Sequence, residues 1–164
     1  MKHLTAEMRA RFFNETGAMI PPFADEHWRG CALDRDTYDN TRVPQHLFEA
    51  IVSAAASKEL SVCGYFPAGE SCASLAPTWD AYSSYMLTHD NWSLEYVVCD
   101  QSGQWALLAD ADATVFGAAP ELAAVVDAQL ASRGTSLSQL TDSEFPGLNS
   151  VQPGGRYLLA VSGR

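Results

Sequence analysis

Residues 92–118 read WSLEYVVCDQSGQWALLADADATVFGA, and this stretch decides the fold. Trp92 to Cys99 is rich in β-branched and aromatic residues and predicts a strand. Asp100-Gln101-Ser102-Gly103 then supplies the Asp and Gly that tight backbone reversal favours. Gln104 to Ala109 reads as the returning strand. Asp110-Ala111-Asp112 turns the chain again, and Thr114-Val115-Phe116 is a short third strand. Turns this short force antiparallel pairing, because a parallel crossover needs a dozen residues or more. The stretch is therefore a β-meander.

Working outward, Pro120 opens a helix in its first turn, where a missing N–H costs nothing. Leu122, Val125, Val126 and Leu130 line one face, and Arg133-Gly134 ends the helix. Residues 135–155 are rich in Ser, Gly and Pro and read as loop. Arg156 to Ser162 predicts a last strand. Upstream, Leu60 to Phe66 has strand composition, 67–71 reads as loop, and Trp79, Tyr82, Tyr85 and Met86 are spaced for a short helix within 72–90. Pro44 to about Lys58 carries a helical stripe of Leu47, Phe48, Ile51, Val52 and Ala55. Thr5 to Thr16 predicts a further helix, and 23–42 shows little periodicity. Runs of strands and helices in this order predict an α+β fold: an antiparallel sheet of about four or five strands around the meander, with helices packed on one face.

The whole chain, 1–164, is expected to form a single compact domain, long enough to need no disulfide or metal staple. Cys31, Cys63, Cys72 and Cys99 form no Cys-x-x-Cys pair. Cys63 and Cys99 fall inside apolar strand patterns and read as buried free thiols. The opening Met1-Lys2-His3-Leu4-Thr5 shows no apolar leader, and no apolar run approaches ~18 residues, so a cytoplasmic location is expected.

Net charge is −10, from ten Lys and Arg against twenty Asp and Glu. Such a surface repels phosphate backbones and anionic bilayers, which disfavours nucleic acid and membrane as partners and favours a basic protein.

Two short stretches carry catalytic overtones. Leu107-Leu108-Ala109-Asp110-Ala111-Asp112-Ala113-Thr114-Val115 resembles the nucleophile motif of haloacid-dehalogenase-type phosphatases. That chemistry needs a later Lys, and the only lysines, Lys2 and Lys58, lie upstream; a turn with Asp side chains bonding their own backbone is the expectation. Gly69-Glu70-Ser71-Cys72-Ala73 resembles the nucleophile elbow of hydrolases but ends in Ala. Ser71 or Cys72 with His89 and Asp90 remains an alternative enzyme reading, as do Asp110 and Asp112. His3, His27, His46 and His89 are scattered, so neither a metal nor a cofactor is expected.

The loop holding Asp34, Asp36, Tyr38 and Asp39 groups carboxylates with an aromatic, a pattern able to capture Arg or Lys side chains. Trp28 and Trp79 lie in less regular segments and are candidates for the same partner-facing surface. Small acidic α+β domains of this kind resemble the immunity proteins of bacterial toxin systems, and the hairpin from Asn91 to Gly117, with Trp105-Ala106-Leu107-Leu108-Ala109-Asp110, resembles strand patterns in that class. The resemblance implies a cytoplasmic protein that neutralises a basic toxin or effector by covering its active site. An effector chaperone or adaptor is a further alternative.

Overall fold

The computed structural model describes residues 2–3, 23, 25–64, 71–88, 95–109, 113–148, 159 and 161. The helix expected over Thr5 to Thr16 lies outside them. In chain order the elements are β1 (Lys2–His3), β2 (Arg29–Asp34), a 3-10 turn (Asp39–Thr41), α1 (Gln45–Ala54), β3 (Leu60–Gly64), β4 (Ser71–Leu75), α2 (Trp79–Thr88), β5 (Tyr96–Cys99), β6 (Trp105–Ala109), β7 (Ala113–Ala118), α3 (Pro120–Ala131) and α4 (Leu137–Glu144). No described helix is long and apolar enough to cross a membrane.

The meander is present as expected. Val98 faces Leu107 across β5 and β6, and Leu107 faces Phe116 across β6 and β7. Around it the sheet is larger than the sequence suggested. Six antiparallel strands run in the order β4-β3-β5-β6-β7-β2, with the two-residue β1 against β4. The extra strands come from stretches with no clear strand pattern, the weakly periodic 23–42 and the start of 72–90, where only a short helix is expected. β2 is a short run of small and apolar residues, Arg29-Gly-Cys-Ala-Leu-Asp, and it pairs along its length with β7. β4 takes Ser71 to Leu75 into a hairpin with β3.

The last strand expected over Arg156 to Ser162 does not appear at its two described positions. Leu159 and Val161, the described residues of 156–162, are helical. Part of 135–155 is helix rather than loop: Ser136 caps α4 by accepting the Gln139 N–H at 3.1 Å, which satisfies one of the orphan amides of a first turn.

One sheet face carries Leu33, Leu60, Val98, Leu107 and Phe116, packed against Leu47, Phe48 and Ile51 of α1, Tyr82 and Met86 of α2, and Val126 and Leu130 of α3. This is the helix-covered face the pattern predicts. The opposite face is buried as well, under Phe23, Trp28 and Val161, with Ala32, Val97, Cys99, Ala106, Leu108 and Val115 beneath. That burial explains why β5, β6 and β7 read as unbroken apolar runs instead of alternating ones. Small residues let this second layer sit close. Gly30 and Gly117 face each other across β2 and β7. A Cβ on Gly117 would lie 2.2 Å from the Phe23 ring, and one on Gly30 would lie 1.8 Å from the Phe116 carbonyl oxygen.

The cysteines also depart from expectation. Cys63 and Cys72 form a disulfide across the β3–β4 hairpin, so Cys63 is not a free thiol. The two positions are directly opposed one step beyond the Val62–Ala73 pair, which places their Cα atoms 4.2 Å apart, within reach of a cross-link. Cys31 and Cys99 are free and buried.

Candidate functional site

The acidic loop starts where β2 ends. Asp34 is opposite Ala113 in the last β2–β7 pair, and its Oδ1 accepts the Asp36 N–H at 2.9 Å, turning the chain sharply. The next two side chains reach back to the end of α4. Thr37 Oγ1 donates to Glu144 Oε2 at 2.5 Å, and the Tyr38 hydroxyl donates to Glu144 Oε1 at 2.8 Å. One carboxylate therefore holds two consecutive loop residues, each through a charge-assisted bond. Partial burial and the neighbouring Glu144 push the Tyr38 phenol well above its ordinary range, so it remains a donor to that carboxylate.

Beyond Tyr38 the backbone takes two left-handed steps, at Asp39 (φ 47°), which opens the 3-10 turn, and at Arg42 (φ 57°), which follows it. Asp tolerates this conformation better than most residues; Arg does not. Tertiary contacts hold the second step. Arg42 is buried with its guanidinium 5.8 Å from the Tyr96 ring centre. The Tyr82 hydroxyl donates to the Thr41 carbonyl at 2.8 Å, and Tyr96 donates in turn to Tyr82 at 3.1 Å. Burial, followed by the neighbouring phenol, raises the Tyr82 pKa, and burial raises that of Tyr96. The loop is thus pinned at its start by α4 and at its end by a buried tyrosine pair.

What the pins leave outside is negative. The Asp36 side chain is 91% exposed, Asp39 is exposed and Asp34 is half-buried. Arg35 Nε approaches Asp36 Oδ1 only at 4.0 Å. Carboxylates of this kind accept hydrogen bonds and attract cations; they offer guanidinium and ammonium groups a landing point with little reorganisation. No group of three or more His, Cys, Asp or Glu that could hold a metal occurs among the described residues.

Comparison with known protein families, curated proteins and solved structures finds no match. The site therefore rests on its own geometry.

That geometry separates the residues singled out in the sequence. Asp34, Asp36, Tyr38 and Asp39 are brought together, with Tyr38 acting as an internal strut. Trp28 lies elsewhere, 6% exposed and 5.1 Å from the Phe23 ring on the second sheet face, so its indole is a core group. Trp79 is half-buried on α2 and meets the Phe48 ring at 5.6 Å, edge to face, which ties α2 to α1. Of the alternative enzyme residues, Cys72 is committed to a disulfide and 1% exposed, so it carries no free thiol for nucleophilic attack. Asp110, Asp112, His89 and Asp90 lie outside the described residues. Glu144 and Arg42 were missed, though Glu144 had a legible clue: Ser136, Leu137, Leu140 and Thr141 carry the cap and the helical spacing of the element that ends on it.

Proposed function

We propose that this chain is an inhibitory binding protein for a basic protein partner, of the type represented by the immunity proteins of bacterial toxin systems, and that the Asp34–Asp39 loop is its point of contact. The observation that carries the reading is the double anchoring of the loop: Glu144 and the Tyr82–Tyr96 pair hold the backbone while Asp36 and Asp39 point their charge at solvent. A rigid acidic projection loses little entropy on binding, and the net charge of −10 steers cationic partners toward it.

The test begins by isolating the basic protein that binds the tagged chain at low salt. Association rates are then compared between the native chain and an Asp36→Lys/Asp39→Asn variant. Asn is chosen at 39 because it accepts the left-handed backbone, and Asp34 is spared because it caps the turn. The variant should associate about tenfold more slowly at low ionic strength, and the gap should close as salt rises and the Debye length shrinks. Equal association rates at low salt remove the loop from the interface. A partner whose activity is unaffected by saturating chain removes the inhibitor reading.

A further inference from the structure

The disulfide sits at a mechanically weak place in the sheet. β4 is the outermost of the six strands, and its pairing with β3 covers only Leu60–Leu75, Ser61–Ser74 and Val62–Ala73 before Cys63–Cys72 is reached. The far end of the hairpin is secured independently. Ser74 donates to Glu59, Leu75 packs on the main core, and α2 follows with Tyr82 and Met86 fully buried. Among the described side chains at the near end of β4, Cys72 is buried, Ala73 half-buried and Ser74 exposed. β1 is attached there and nowhere else among the described pairings, through Lys2 opposite Cys72 and His3 opposite Ser71. Among the described residues, β1 and the start of β4 therefore both depend on the Ser71–Cys72 step.

We infer that Cys63 and Cys72 form a reversible redox lock on the edge of the sheet, closed by exchange with a small-molecule disulfide such as oxidised glutathione, and that reduction releases the start of β4 together with β1. In closing, a Cys thiolate attacks the glutathione disulfide and expels one glutathione thiolate. The second cysteine then attacks the mixed disulfide and expels the other. Cys63 and Cys72 lose two electrons and two protons between them, and one oxidised glutathione becomes two reduced ones. Both sulfurs are buried, so exchange waits for the hairpin to open and runs on the slow scale of uncatalysed disulfide rearrangement, minutes or longer.

The geometry also selects the partner. Cys99 shares the second sheet face with Cys63, sitting diagonally across from it because Cys63 pairs with Val97. Burial and the adjacent Asp100 push its thiol up to about 12, so in the folded chain it stays protonated and does not compete. A cross-link spanning nine residues shifts a local opening equilibrium by roughly 100-fold through loop-closure entropy.

The test combines thiol counting with hydrogen exchange on the full chain. Reduced protein incubated with oxidised glutathione should lose two of its four thiols, with the Cys63–Cys72 peptide pair recovered by mass spectrometry. Four persistent thiols, or a pair involving Cys99 or Cys31, would overturn the lock. Exchange in the peptide covering 71–73 should then quicken by about 100-fold on reduction, while the β6 peptide 105–109 keeps its protection. Unchanged exchange at 71–73, or equal acceleration in β6, also overturns it, the second because the bond would then stabilise the whole domain and not its edge. A Cys63→Ser/Cys72→Ser variant should match the reduced protein without any reductant; the native chain with and without reductant decides the matter if that variant does not fold.

Discussion

Glu144 is the residue on which the acidic loop depends, because its two oxygens each accept a hydroxyl from neighbouring loop positions. Glu144→Gln keeps one acceptor oxygen and replaces the other with an NH₂ that can only donate. One of the two hydroxyls can then no longer donate and must accept from the amide instead, and the carboxylate charge is lost from both bonds. The expected cost is about 1.5 kcal/mol, at the low end of the range for bonds to charged groups because Glu144 is only half-buried. Amide exchange in 35–39 should rise more than global stability falls, since the change unpins a loop rather than a core. Denaturant unfolding of the variant combined with exchange mass spectrometry checks both; an unaltered loop with a full loss of global stability contradicts the strut role. Arg42 offers the opposite lesson. Nothing in Asn40-Thr41-Arg42-Val43 marks an Arg as buried and left-handed, because its placement comes from Tyr82 and Tyr96, which arrive from α2 and β5. Local sequence carries no trace of such long-range packing.

At the level of elements, α4 seals the outer edge of β2. The Ala32 N–H, which would otherwise face solvent or another strand, donates to Thr141 Oγ1 at 3.0 Å, and Thr141 is fully buried. Thr141→Val preserves shape and removes the acceptor, leaving a buried amide without a partner. A loss of about 1–3 kcal/mol follows, with faster exchange of the Ala32 amide. A Val variant as stable as the native chain would show that the hydroxyl is dispensable. The elements that the sequence showed plainly, β5 to β7, α1 and α3, are those whose apolar pattern or proline punctuation is self-sufficient. β2 escaped because Gly30, where a Cβ would collide with the Phe116 carbonyl of β7, serves close approach between the strands and not strand propensity. α4 escaped because Ser and Gly around it suggested loop, although Ser136 was acting as a cap. The Cys63–Cys72 bond escaped because pairing depends on hairpin register, and β4 itself was not recognised. Of the site, the carboxylates and Tyr38 were legible; the exposure assigned to Trp28 was not, since aromatic residues in irregular segments cover cores as readily as they meet partners.

For the whole molecule, burial of titratable groups sets the response to alkali. Cys31 and Cys99 ordinarily titrate near 9.0, and Tyr82 and Tyr96 near 10.0; burial raises all four in the folded chain. The folded state then holds protons that the unfolded state has released. Stability from these groups is complete below pH 9.0 and declines as pH climbs from there toward about 12. Each group that has titrated only in the unfolded chain adds about 1.4 kcal/mol of loss per pH unit. Melting temperature should accordingly be level from pH 7 to near 9.0 and drop steeply above 10.0, and Tyr82→Phe should flatten the drop. A level melting temperature up to pH 11 would contradict the burial of these groups. The seal on β2 has a last consequence, for how copies of this chain can add to one another. A strand ladder that is stoppered at one side can lengthen only from the other. On the other side, among the described residues, β1 covers β4 at Ser71 and Cys72, so a second copy adding there by strand pairing would have to displace β1 or dock beside the short remainder of β4.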